Sequence, residues 1–105
     1  MTATVLYAEF TALPGHEEEV ARMIADLAEL VRAEPGNVVF EPYRRVEDPA
    51  RFVVHEVYRD EAAFQAHIGA SYGAAFNAAL GPLIVEDGSQ LTFLAPVPAS
   101  APASA

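Results

Sequence analysis

The chain has 105 residues, enough for one domain with a modest core that removes about 65% of the unfolded surface from water. It contains no cysteine, which excludes disulfide staples, thiolate metal sites and a cysteine nucleophile. Fifteen acids against six bases, all of them arginine, give a net charge of −9, so nucleic acid and anionic membrane are poor partners.

No apolar run has the length of a membrane span. Met1-Thr2-Ala3-Thr4 shows no basic segment of the kind that opens a secretory leader. A cytoplasmic location is therefore expected.

Residues 4–12 alternate and are rich in strand formers, and Pro14-Gly15 ends that run. Glu17, Glu18 and Glu19 then fill the first turn of a helix, where carboxylates complement the positive dipole end. Val20, Met23, Ile24, Leu27, Leu30 and Val31 follow at helical spacing, and Pro35-Gly36 stops the helix. His16, among these glutamates, reads as a surface residue. Residues 37–45 and 51–59 read as two strands of a hairpin across Val46-Glu47-Asp48-Pro49-Ala50.

Asp60 is a suitable N-cap for a helix over 61–68, and Ser71 for another over 72–80, which Gly81-Pro82 ends. A last strand is expected over 85–94, bent near Asp87-Gly88. Residues 96–105 are only Pro, Val, Ala and Ser and read as an extended tail to a domain of residues 1–95.

The order β-α-β-β-α-β is the ferredoxin-like arrangement of the α+β class, with helices on one sheet face. Alternation assigns Leu6, Ala8, Phe10, Val38, Phe40, Val53, His55, Val57, Leu91 and Phe93 to the helix-covered face. The opposite face then carries Val5, Tyr7, Glu9, Val39, Glu41, Tyr43, Arg45, Phe52, Val54, Glu56, Tyr58, Thr92 and Leu94. That face is too apolar to stay open, so a homodimer closed into an α/β barrel is expected. Glu9, Glu41, Glu56 and Arg45 are the candidates for a polar network inside it.

His55, His67 and Tyr72 are the candidate catalytic groups. His67 shares a helix face with Phe64 and points toward the sheet. Phe10, Phe40, Phe64, Phe76 and Asn77 converge there as candidate substrate contacts, with Arg44 at the rim. The plainest explanation is a filled core in which each histidine makes one hydrogen bond. Two imidazoles beside a phenol, an amide and a guanidinium instead describe a cavity for a flat aromatic ligand. No metal-spaced cluster or glycine-rich phosphate loop is present.

Several segments resemble the antibiotic biosynthesis monooxygenase (ABM) family: Pro35-Gly36, Phe40-Glu41, Asp48-Pro49-Ala50-Arg51-Phe52, the run from Glu56 through Tyr58, Asp60 and Phe64 to His67, and Phe76. The resemblance spans residues 4–94. It implies a dimeric barrel with a pocket between sheet and helices, and oxidation of quinol- or polyketide-like aromatics by O2 without a cofactor. It also places a histidine at position 67, which makes His67 the expected base.

Members often carry Trp at the position of Tyr58 and a second His at that of Tyr72. A phenol with pKa about 10 replaces a base there. The haem-degrading branch carries an Asn and an axial His where this chain has Ala8 and Asn77, so haem degradation is disfavoured. Two further functions fit the same pocket. One is a non-catalytic module that binds hydrophobic small molecules. The other is a histidine-assisted isomerase or decarboxylase.

Overall fold

Alternation along Thr4–Thr11 builds the first strand, β1, and sends Leu6, Ala8 and Phe10 into the core. The structure is a computed structural model that describes residues 2–98. Ala12 bridges to Ile84 just beyond β1, and the chain then turns through Gly15, whose φ of 89° favours a residue without a Cβ. Helix α1 runs Glu17–Arg32, its first turn filled by the three glutamates and its inner stripe made by Val20, Ile24, Leu27, Ala28 and Val31. Leu30, expected on that stripe, is half exposed.

Strands β2 (Asn37–Arg44) and β3 (Arg51–Tyr58) form the expected hairpin. Helix α2 covers Glu61–Ile68, helix α3 covers Ser71–Leu80, a 3-10 turn occupies Gly81–Leu83, and β4 is Gln90–Leu94. The sheet is antiparallel in the order β2-β3-β1-β4, with β1 and β3 at its centre. This is the ferredoxin-like split arrangement.

The register of β1 against β3 corrects the assignment of faces. Leu6 lies opposite Glu56, Ala8 opposite Val54 and Phe10 opposite Phe52. Residues paired in this way share a face, so Phe52, Val54, Glu56 and Tyr58 belong to the helix-covered side, where all four are buried. Val53, His55 and Val57 face the other way. Both phases of Arg51–Tyr58 offer apolar residues, so alternation alone does not choose between them. Burial of the two aromatic rings does: Phe52 stacks on Phe10 at 5.6 Å, and Tyr58 meets Phe64 edge-on at 5.4 Å.

Glu56 therefore does not join Arg45 in a network on the open face. Arg45 lies just past the end of β2 and is exposed, whereas Glu56 is buried. Val38, expected inward, sits at a bulge in β2 and is 61% exposed.

Two boundaries also move. Ala70, with extended backbone, caps α3 in place of Ser71 and contributes no side-chain bond. β4 begins at Gln90 because residues 85–89 approach β1 by other contacts. The Val85 N–H donates to the Thr11 carbonyl at 2.8 Å. The Glu86 carboxylate accepts from the Thr11 N–H at 2.7 Å and from its hydroxyl at 2.8 Å.

Of the 96–105 tail, residues 96–98 are exposed and without regular structure, and 99–105 lie outside the described residues. No helix among the described residues is long and apolar enough to cross a membrane.

Candidate functional site

The placement of α2 starts with two small residues. A Cβ built on Gly36 would collide with the Cβ of Ala63, so only glycine lets the start of α2 lie against the α1–β2 turn. The Arg59 N–H donates to the Gly36 carbonyl at 2.8 Å, and the Asp60 carboxylate caps α2 by accepting from the Ala63 N–H at 2.8 Å. With its N-terminus fixed in this way, α2 brings His67, in its last turn, to Glu34 just beyond the C-terminus of α1.

Glu34 is the hub of one polar cluster. Its Oε2 is 3.0 Å from His67 Nδ1 and accepts a hydrogen bond from the Tyr72 hydroxyl. On the other side of the imidazole, Nε2 is 3.8 Å from Glu56 Oε1, and Glu56 Oε1 accepts from the Tyr58 hydroxyl at 2.7 Å. The side chains of His67 and Glu34 are only 15% and 17% exposed. The His67 ring also lies against Tyr58 at 4.8 Å between centroids, with Phe64 and Phe40 farther out.

Burial dominates the electrostatics. Glu56 is the one buried charged residue among the described residues. Desolvation lifts its pKa above the usual carboxylate range, more than the Tyr58 hydroxyl and His67 lower it, and Glu34 adds to the rise. The Tyr58 hydroxyl is pushed far up by burial and by Glu56, so it is a permanent donor. Tyr72 is raised to about 12 by burial and by its bond to Glu34.

This cluster closes one end of a cavity of about 400 Å³ between sheet and helices. Leu6, Ala8 and Val54 contribute from the sheet, and Asn77, Gly81 and Gly88 lie among its polar or open parts. The volume falls in the range of small-molecule sites, roughly 300–1,000 Å³.

Six of the nine residues expected at the site line the cavity: His67, Phe10, Phe40, Phe64, Phe76 and Asn77. Tyr72 stands behind the wall, its hydroxyl committed to Glu34. His55 is on the opposite sheet face, edge-on to Tyr7 at 5.8 Å, so it does not meet His67. Arg44 is on the helix-covered side but held away from the cavity. Its Nε donates to the Pro49 carbonyl at 2.8 Å, a terminal nitrogen pairs with Glu18 at 2.9 Å, and its guanidinium lies over Phe52. That pairing, by hydrogen bond first and then by charge, lowers the Glu18 pKa.

The sequence reading missed Glu34 and gave Glu56 the wrong neighbours. One signal for Glu34 was available. A carboxylate just past a helix C-terminus faces the negative dipole end and is disfavoured there unless it has another partner.

A family model described as antibiotic biosynthesis monooxygenase matches residues 4–79, and the chain belongs to that ABM family. Solved structures share the fold. PA3566 from Pseudomonas aeruginosa is 26% identical, with a TM-score of 0.85 over 93% of this chain and 97% of that one. Rv0793 from Mycobacterium tuberculosis is 22% identical, with a TM-score of 0.84 over 94% and 99%. A structure described as an antibiotic biosynthesis monooxygenase is 21% identical, with a TM-score of 0.82 over 92% and 100%. No curated protein sequence matches the chain.

Proposed function

We propose that this ABM-family protein is a monooxygenase that oxidises a small aromatic such as a quinol or anthrone with O2, without a cofactor. His67 is the base. The observation that carries this reading is the pairing of His67 Nδ1 with Glu34 at 3.0 Å, on an imidazole that lines the cavity. A carboxylate on Nδ1 holds the proton there, leaves the lone pair on Nε2, and stabilises the imidazolium once it forms.

The chemistry balances without a further reductant. His67 Nε2 takes a proton from a phenolic hydroxyl or an acidic CH. The electron-rich anion passes one electron to O2, and the radical pair recombines to a peroxide. Loss of water from the peroxide leaves one oxygen atom on the substrate as a new carbonyl. An anthrone CH2 and O2 thus become C=O and H2O. The apolar walls keep bulk water from the anion, and Phe10, Phe40, Phe64 and Phe76 offer ring faces and edges to a flat substrate. Tyr72 acts through Glu34, as a positioning residue.

The adjacency of Glu56 and His67 at 3.8 Å also favours a second reading. A buried carboxyl whose pKa is raised by desolvation, beside an imidazole, suits proton relocation in an isomerase that consumes no O2. Oxygen uptake with a panel of hydroquinones and anthrones separates the two. Uptake above the autoxidation rate, lost in His67→Ala, supports the monooxygenase. Product without uptake supports the isomerase. Binding with neither would mark a module that only holds its ligand.

The open sheet face supports a homodimer. It presents Val5, Tyr7, Val39, Tyr43, Val53, Val57 and Leu94 around Glu9, Glu41 and His55. A second copy of the same face would cover it and close the barrel.

A further inference from the structure

We propose that the cavity selects uncharged aromatic alcohols over anionic ones, and that Asp87 is the residue that sets this discrimination. The inference rests on the reading of the cavity as an aromatic site and adds the charge of its substrate.

Apart from Asn77 on α3, the polar side chains of the cavity lie at two levels of the sheet. Glu56 sits opposite Leu6 on β1, and His67 is beside it. Asp87 and Ser89 precede β4, whose first residue, Gln90, pairs with Glu9. Leu6 and Phe10, the β1 positions nearest these two levels, are four residues apart, about 13 Å along a strand. Between them the floor is apolar. Asp87 is exposed and bonded only weakly, accepting from the Gln90 amide at 3.4 Å.

Both ends are acidic, and neither has a fixed cation. No arginine lines the cavity. Arg44 is held by Glu18, Arg32 by Glu41 and Arg59 by Asp60, while Arg22, Arg45 and Arg51 are exposed on the outside. The chain has no lysine. His67 is the one lining group that becomes a cation, and Glu34 already faces it. A carboxylate, sulfonate or phosphate brought into the cavity would therefore lose water, find no counter-charge and meet Asp87 at the entrance. A neutral phenol adds no charge on entry. When it gives its proton to His67 inside, the net charge of the complex stays the same.

The test measures anaerobic binding of three probes by calorimetry: 2-naphthol, 6-hydroxy-2-naphthoic acid, and 6-(aminomethyl)-2-naphthol. The ratio of Kd values is read for wild type, Asp87→Asn and Asp87→Arg, each checked for an unchanged unfolding temperature. Wild type should prefer the neutral probe to the carboxylate by about tenfold, the effect of one nearby like charge in a partly hydrated site. Asp87→Asn should narrow that ratio and Asp87→Arg should close or invert it, while the ammonium probe loses affinity in Asp87→Arg. Equal binding of naphthol and naphthoate by wild type would overturn the proposal, and so would a ratio unmoved by Asp87→Arg. Failure of all three probes to bind would overturn the aromatic-site reading along with it.

Discussion

Glu34 and His67 are 33 positions apart in the sequence, yet Oε2 of one lies 3.0 Å from Nδ1 of the other. The contact joins the end of α1 to the end of α2. It turns a histidine that could have been a passive core residue into one with a fixed orientation and a charge partner.

Truncation of the imidazole should therefore affect both activity and stability. His67→Ala is expected to lower turnover by about 10²–10⁴, the usual contribution of a general base. It should also cost about 1 kcal/mol of stability, because Glu34, largely buried, loses one of its two hydrogen-bond partners and keeps the Tyr72 hydroxyl. Glu34→Gln keeps the size and an acceptor but removes the charge, so it should lower turnover less than His67→Ala. A fully active Glu34→Gln enzyme would show that the pair does not serve catalysis.

Glu56 gives a prediction in pH. Its pKa is raised in the folded protein, chiefly by desolvation. The unfolded chain then ionises first as pH rises past about 4.3, so the folded state loses stability from there up through the raised value. Glu56→Gln removes this dependence and still accepts from the Tyr58 hydroxyl. Relative to the variant, wild type should be most stable near pH 4 and lose ground toward pH 8. Thermal unfolding across that interval checks it, and parallel profiles for the two proteins would contradict it.

Gly36 tests the geometry behind the site. Gly36→Ala sets a methyl against Ala63, and overpacking of this kind costs about 1–3 kcal/mol. Because α2 carries His67, turnover should fall in the same variant. Urea unfolding with an unchanged midpoint would show that α2 can shift without consequence.

The order of elements was legible in the sequence because each boundary has a local cause. Pro14-Gly15, Pro35-Gly36, Asp60 and Gly81-Pro82 each stop or start an element by backbone chemistry. The cavity was legible from the helix phase of Phe64 and His67 and from the alternation of Phe10 and Phe40. The phase of β3 was not, since either set of alternate residues looks apolar and the choice rests on pairing with β1. That single ambiguity moved His55 into the expected site and Glu56 out of it. Glu34 was only half legible: its place just past the C-terminus of α1 calls for a partner, but the partners come from α2 and α3, and no local pattern identifies a contact across so many residues.

The open face makes the oligomeric state measurable. Val5 and Val57 are register partners on the two central strands and lie on the open face, one pair in from its end. Light scattering at micromolar concentration should give twice the chain mass for wild type and the chain mass for Val57→Asp, where a carboxylate would be buried without a partner. A wild-type monomer would contradict the closed barrel.

The most direct test of His67 as the base of a cofactor-free oxygenation is O2 uptake by metal- and flavin-free protein with one anthrone or hydroquinone that the wild type binds. The rate should exceed autoxidation, and His67→Ala and His67→Gln should both lose it, since glutamine keeps a hydrogen bond but cannot take the proton. Full uptake by His67→Gln, or wild-type uptake no faster than the substrate alone, would contradict that role.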